Sequence, residues 1–224
     1  ARVTAYLARE RGNFAPLFGC DLTDAPLGDL SVAGSVTPRN PFDLGASEAA
    51  MIGADIQADY WIGKYGEPRL IYTSDAFRTG PLKGSDRRSI HLAVDVFADA
   101  GHALFAPLDG VVAVVENRDW HLDYGGVVIL RHETPDGDAF YTLYGHLDPA
   151  VVDELSIGQV IARGAAFCQL GTPAENGGWA PHVHFQLAVS IAGMGDDWPG
   201  VADPDLMDVW GALCPNPAAL LNLA

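Results

Sequence analysis

From Arg69 to about Val189 the chain offers no segment long enough for a sustained helix. It is a series of short alternating or β-branched runs, cut at intervals by Gly, Pro and Asp. These runs are Leu70–Thr73, Ser89–Val96, Gly110–Val115, Gly126–Arg131, Ala139–Tyr144, Gln159–Ile161, Phe167–Leu170 and His182–Val189. Runs of this length and spacing predict an all-β fold, an antiparallel sandwich or a barrel-like hybrid. Residues 1–45 carry Gly, Pro, Asp and Leu without sustained periodicity, and the turn signals Thr37-Pro38 and Asn40-Pro41 mark them as loop-rich. A Ser47/Glu48 start followed by Met51, Ile52, Ile56 and Trp61 predicts a short helix from Ala46 to about Trp61. Short terminal helices are expected at Asp208–Leu213 and Ala218–Leu223. The expected division is a lead-in over 1–68, a β domain over 69–190 and a C-terminal extension over 191–224.

Hydrophobic residues make up 49% of the 224 and charged residues only 19%, a balance that supports a sizeable core and excludes a disordered chain. No apolar run approaches the roughly 20 residues of a membrane span. The net charge of −16 is unevenly spread. Residues 1–90 are near balance at −1, whereas residues 91–224 hold 18 acidic and 3 basic side chains, a net of −15. Such a surface repels polyanions at long range, so nucleic acid, anionic membranes and anionic wall polymers are poor partners, while cations and neutral ligands remain. Cys20, Cys168 and Cys214 are odd in number, far apart and without CxxC spacing, so they are expected as buried free thiols. The chain opens at Ala1 without a basic-then-apolar signal pattern, as expected of a processed protein or a piece of a longer one.

The chemistry concentrates in three histidine contexts. In Ile90-His91-Leu92-Ala93-Val94-Asp95-Val96, strand alternation puts Ile90, Leu92, Val94 and Val96 on one face and His91, Ala93 and Asp95 on the other. A straight strand would hold His91 and Asp95 roughly 13 Å apart, so gripping one ion requires a fold-back at the strand's start. The small Ala93 leaves room for that ion. In Pro181-His182-Val183-His184-Phe185-Gln186, Val183 and Phe185 point to the core, and both histidines share the opposite face about 7 Å apart. The third context is Tyr144-Gly145-His146-Leu147, just before the turn at Asp148-Pro149. Imidazole and carboxylate suit Zn²⁺, and a catalytic zinc keeps three protein ligands and an open position. His91, Asp95 and one histidine of the His-Val-His pair would supply that set.

Residues 70–189 resemble the catalytic domain of the M23 peptidases, the lysostaphin and LytM-like zinc endopeptidases. The likeness runs through the HxxxD motif at His91–Asp95, Ala106-Pro107-Leu108-Asp109-Gly110-Val111-Val112 and Tyr124-Gly125-Gly126-Val127-Val128-Ile129. It continues through Tyr144-Gly145-His146-Leu147, Gly158-Gln159-Val160, Gly171-Thr172 and Pro181-His182-Val183-His184-Phe185. The resemblance implies zinc ligands at His91, Asp95 and His184, and catalytic roles for His146 and His182. It also implies a peptide substrate of the glycine- or D-alanine-containing kind that cross-links peptidoglycan.

This chain departs from the pattern in having Ala93 between the first ligands and Gln186 after the HxH phenylalanine. Where lysostaphin-like enzymes carry a tyrosine that polarises the carbonyl, it has Lys83-Gly84-Ser85-Asp86, leaving Tyr144 or Trp179 as substitutes. His102, His121 and His132 read as surface histidines, and Glu175-Asn176-Gly177-Gly178-Trp179 as either a groove wall or a capped turn.

Two other functions compete: a non-catalytic LytM-like regulatory or accessory domain, and a sugar-phosphotransfer carrier, against which the third ligand argues. Tyr65–Thr73, Asn176–His182 and Leu213–Pro217 further resemble M23-type domains embedded in long bacterial chains beside kinase-like and class III aminotransferase domains. That likeness implies covalently linked neighbours and a cytoplasmic setting; otherwise the cell envelope is expected.

Overall fold

The computed structural model describes residues 1–31, 56, 58–73, 88–190 and 198–223. Its centre is a seven-stranded antiparallel sheet built from β1 (Trp61–Gly63), β3 (Val94–Phe97), β10 (His182–Ala188), β7 (Ala139–Leu147), β6 (Gly125–Glu133), β5 (Gly110–Arg118) and β8 (Val160–Ile161), in that spatial order. Two small antiparallel pairs complete it: β2 (Ile90–His91) with β11 (Val201–Ala202), and β4 (Ala103–Phe105) with β9 (Ala166–Gln169). The sheet is open, not closed into a barrel, and the fold is all-β with few short helices, as the run spacing predicts.

Strand alternation gives the sheet two unlike faces. Val183, Phe185 and Leu187 of β10 join Val128, Leu130 and Tyr144 in the larger core. Their neighbours in sequence point the other way: Val127, Ile129, Leu143 and Ala188 pack with Trp198 and Cys214 in a second core. His182, His184 and Gln186 share the second face, and all three are buried.

The lead-in is more ordered than its composition suggests. Arg2–Arg9 forms a helix, α1, that buries Val3 and Leu7, and with Phe14, Leu17, Phe18 and Leu22 it covers the larger core. Pro26–Gly28 then runs along β1, with Gly28 N–H donating to Ile62 O at 2.8 Å and Ile62 N–H to Pro26 O at 2.9 Å.

Other expectations shift. Leu70–Thr73 is a 3₁₀ turn, not a strand. Leu92 packs in the second core while Val94 and Val96 lie in the larger one, because β2 and β3 are separate strands broken at Leu92-Ala93. Met207–Leu213 is helical close to expectation, but the last element is a 3₁₀ turn over Pro217–Leu221, capped by Asn216, whose side chain accepts from Ala218 N–H at 2.9 Å. Of the helix expected from Ala46, residues 46–55 and 57 lie outside the described residues, and Trp61 belongs to β1. Cys168 and Cys214 are buried free thiols, whereas Cys20 is half-buried.

Candidate metal centre

The break between β2 and β3 decides the geometry of the first pair. β2 leaves the large sheet to pair with β11, where His91 faces Val201 and Leu92 N–H donates to Gly200 O at 3.0 Å. Ala93 sits at the bend, fully buried. The fold-back brings His91 Nε2 to 3.1 Å from Asp95 Oδ1. Asp95 on β3 stands directly opposite His184 on β10, whose Nδ1 is 3.5 Å from Asp95 Oδ1 and 3.1 Å from His91 Nε2. Three donor atoms separated by 3.1, 3.1 and 3.5 Å match the roughly 3.3 Å edge of a tetrahedron with metal–ligand distances of about 2.0–2.1 Å.

The donor chemistry fits a divalent ion as well as the spacing does. Asp95 Oδ1 is buried without a hydrogen-bond partner among the described residues, an arrangement that costs about 1–3 kcal/mol or more for a charged group unless something else satisfies it. Each of the two candidate histidine donors has its other nitrogen occupied. His91 Nδ1 lies 3.2 Å from Lys64 O, so it carries the proton and donates. His184 Nε2 likewise donates to Gln186 Oε1 at 2.9 Å, and Gln186 is held through its amide N–H to Pro199 O at 3.2 Å. Both tautomers therefore present a lone pair inward. Burial, reinforced by the nearby Arg69 charge, pushes the His91 pKa down to about 3, so the ring is neutral. Burial opposes ionisation of Asp95, but His91, Arg69 and His182 together overcome that penalty and hold its carboxyl well below the usual carboxylate range. With His91 kept neutral, the permanent charge doing this is Arg69's.

His182 and His146 flank the triad. His182 Nδ1 donates to Ala180 O at 2.7 Å, leaving Nε2 3.8 Å from Asp95 Oδ1. His146 reaches this face through a β-bulge. Gly126 pairs with Leu147 and Val128 with Tyr144, so Gly145 and His146 together oppose Val127. His146 takes φ 63°, a left-handed conformation rare for a residue with a Cβ. Regular alternation would send it into the larger core beside Tyr144; the bulge turns it to the site instead. There Nδ1 donates to Asn176 O at 3.0 Å, and the ring centre is 4.3 Å from that of His182. Burial holds the His146 pKa well below the ordinary histidine range and lowers that of His182, and with Nδ1 of each ring donating, Nε2 is left as the proton acceptor. Gly145 makes the bulge possible: a Cβ there would lie 2.5 Å from Tyr124 Cδ1.

A cleft of about 340 Å³ opens over His146 and His184, walled by Tyr72, Tyr124, Trp120, Trp179 and Trp198. Trp120 is 76% exposed at its rim. The Glu175–Trp179 loop is both of the things its sequence suggests. Asn176 Oδ1 accepts from Trp179 N–H at 3.0 Å, and the loop lays Trp179 beside the site, its ring centre 5.7 Å from that of His146. Tyr144 is no substitute for the missing tyrosine, because it packs in the larger core on the opposite face, with its hydroxyl 3.0 Å from Thr142 Oγ1. Lys83–Asp86 lie outside the described residues.

His132, expected at the surface, is buried: Nδ1 donates to Asp109 O at 2.7 Å and Nε2 accepts from Thr142 Oγ1 at 2.7 Å. His102 is half-buried, stacked on Phe18 at 4.9 Å. His121 is exposed and lines the cleft.

Sequence reading overlooked Arg69 and Glu67, both buried next to the centre. Their signal was a pair of charges beside a proline in an otherwise apolar stretch, Glu67-Pro68-Arg69-Leu70-Ile71.

Residues 89–194, which contain all five site residues, match the family model described as peptidase family M23. No curated protein sequence matches. Similar solved structures include the catalytic domain of lysostaphin, an antimicrobial peptidase from Staphylococcus simulans (19% identity, 67% of this chain and 92% of that one, TM-score 0.40). A zinc-containing peptidase from Vibrio cholerae is 25% identical over 50% of this chain, with a TM-score of 0.36, and the match spans 30% of that longer protein. The catalytic domain of EnpA, a prophage-encoded M23 protein from Enterococcus faecalis, is 21% identical over 57% of this chain and 83% of its own, with a TM-score of 0.35.

Proposed function

We propose that the chain is a zinc-dependent endopeptidase, a reading supported by the match of residues 89–194 to the peptidase family M23 model. His91, Asp95 and His184 would hold the ion, and His146 and His182 would be the catalytic histidines. The observation that carries the proposal is the convergence of three buried donor atoms, one of them an unpartnered carboxylate oxygen, within 3.1–3.5 Å of one another.

When bound, zinc supplies Lewis acidity that polarises a peptide carbonyl and activates water for attack. The protein's own residues do the rest. His146 and His182 are fixed through Nδ1 by backbone carbonyls, so each offers an unprotonated Nε2. One takes the proton of the attacking water; its protonated Nε2 then donates to the oxygen on which charge develops and passes that same proton to the leaving amine. Phe97 stacks on His182 at 4.6 Å and Trp61 on Phe97 at 3.6 Å, which keeps the His182 ring from rotating away. A cleft of about 340 Å³ walled by aromatic rings supports a short peptide of small residues, Gly- or D-Ala-containing, as the substrate. The −15 charge of residues 91–224 favours neutral or cationic peptides over polyanionic polymers.

The test is metal analysis together with hydrolysis of a glycine-rich peptide. The wild type is expected to bind one zinc and cleave; His146→Ala and His182→Ala retain zinc and lose cleavage; His91→Ala, Asp95→Ala and His184→Ala lose zinc. Tight zinc binding by His91→Ala would overturn the ligand assignment.

A further inference from the structure

The two oxygens of Asp95 have different neighbours. Oδ1 faces His91 and His184; Oδ2 accepts from Arg69 Nη1 at 2.6 Å. Arg69 is 1% exposed, and its Nε donates to Glu67 Oε2 at 3.1 Å while Nη1 also donates to Tyr72 Oη at 3.2 Å. Glu67 is anchored in turn: Oε1 accepts from Leu30 N–H at 3.0 Å and lies 3.6 Å from Lys64 Nζ. Space for this arrangement comes from β1, where Gly63 stands directly opposite Asp95. A Cβ on Gly63 would lie 2.8 Å from Arg69 Nη2.

A buried guanidinium beside a dication site is unfavourable unless it serves that site, since like charges repel strongly where water is excluded. Here two carboxylates flank one guanidinium, so these three buried groups carry a net negative charge, which the partly exposed Lys64 ammonium beside Glu67 offsets only in part because water screens it. A planar fork can bond both carboxylates at once, which an ammonium cannot do with the same fixed geometry.

We propose that Arg69 is a positioning residue that holds Asp95 so that only Oδ1 faces the ion, and that Glu67 offsets the Arg69 charge so that the centre still attracts a divalent cation. This rests on the metal-centre reading above. It also ties the lead-in, through Leu30, to the affinity of the centre.

The experiment uses the whole chain with zinc and cobalt as probes. Zinc affinity is measured by competition with a chromophoric chelator, and the Co²⁺ visible spectrum reports coordination number. Arg69→Met is expected to lose about tenfold to a hundredfold in zinc affinity, the range for removal of groups supporting a ligand, and to show weaker cobalt bands as Asp95 engages through both oxygens. Arg69→Lys should recover part of both. Glu67→Gln should lower affinity near the bottom of that range with the cobalt spectrum unchanged, because Arg69 still holds Oδ2. Should Arg69→Met not fold, the double variant Glu67→Gln/Arg69→Met removes both charges and gives the same readout. Wild-type affinity and spectrum in the Arg69→Met or double variant overturn the positioning role while leaving the metal centre standing. A wild-type protein that binds neither metal overturns the centre itself.

Discussion

His146 pays a conformational penalty to reach the site, and that penalty can be measured by comparing two truncations. At φ 63° a residue with a Cβ costs roughly 1–2 kcal/mol relative to its relaxed backbone, whereas glycine adopts the region freely but loses roughly 0.5–1 kcal/mol more chain entropy on folding. His146→Ala and His146→Gly both remove the imidazole, its bond to Asn176 O and its contact with His182; they differ only in the Cβ. The glycine variant should therefore be the more stable by about 0.5–1 kcal/mol. With a urea m-value of about 2 kcal/mol/M, its midpoint should lie about 0.2–0.5 M above that of the alanine variant. Equilibrium urea unfolding of both, followed by tryptophan fluorescence, gives the comparison, and neither variant should cleave peptide. An alanine variant as stable as the glycine variant, or more so, would show that the backbone at 146 relaxes when the imidazole is removed. The bulge would then be held by the side chain, not imposed by the strands.

Four further outcomes are expected. The His132 pKa is pushed down to about 4 by burial against about 6.5 unfolded, so between those values the unfolded chain binds a proton that the folded one does not. About 3 kcal/mol of stability present above pH 6.5 is then lost on acidification toward pH 4, and urea titrations should show a flatter dependence for His132→Asn. Zinc at a thousand times its Kd adds about 4 kcal/mol, so EDTA should lower Tm by about 8–16 °C; His184→Ala should show no such response. Gly63→Ala drives a methyl against Arg69 and Leu30, and should cost about 1–3 kcal/mol and weaken zinc binding in the chelator assay. Tyr144→Phe, on the face away from the cleft, should leave kcat/KM within about twofold, since its loss costs only about 1 kcal/mol of hydrogen bonding; a tenfold fall would place its hydroxyl in the chemistry.

Much of the candidate centre was legible because its donor residues sit on strands. Period-two alternation fixes Val183 and Phe185 inward and His182 and His184 together on the other face, whatever the surroundings. The 13 Å that a straight strand would put between His91 and Asp95 was itself informative: two residues of one site at that separation require a break, and the break lies at Leu92-Ala93. The same rule failed where backbone geometry departs from it. Leu92 was assigned to the face of Val94 and Val96, yet it packs with Trp198 and Leu143. His132 read as a surface residue because its partners come from elsewhere in the chain, Asp109 O from just before β5 and Thr142 from β7. Arg69 gave no hint of its neighbours, since Asp95 is 26 positions away and no local periodicity says that Glu67, Arg69 and Asp95 meet.

The sequence by itself determined the all-β class, the antiparallel strands and the short list of groups able to bind a divalent ion, because periodicity and side-chain chemistry are local properties. Tertiary structure alone decided which oxygen of Asp95 is left without a hydrogen-bond partner among the described residues, which tautomer each histidine adopts, and that His146 turns toward the site and Tyr144 away from it. Each of those depends on an acceptor, a charge or a bulge brought from elsewhere in the chain, and no local pattern encodes the distance to it.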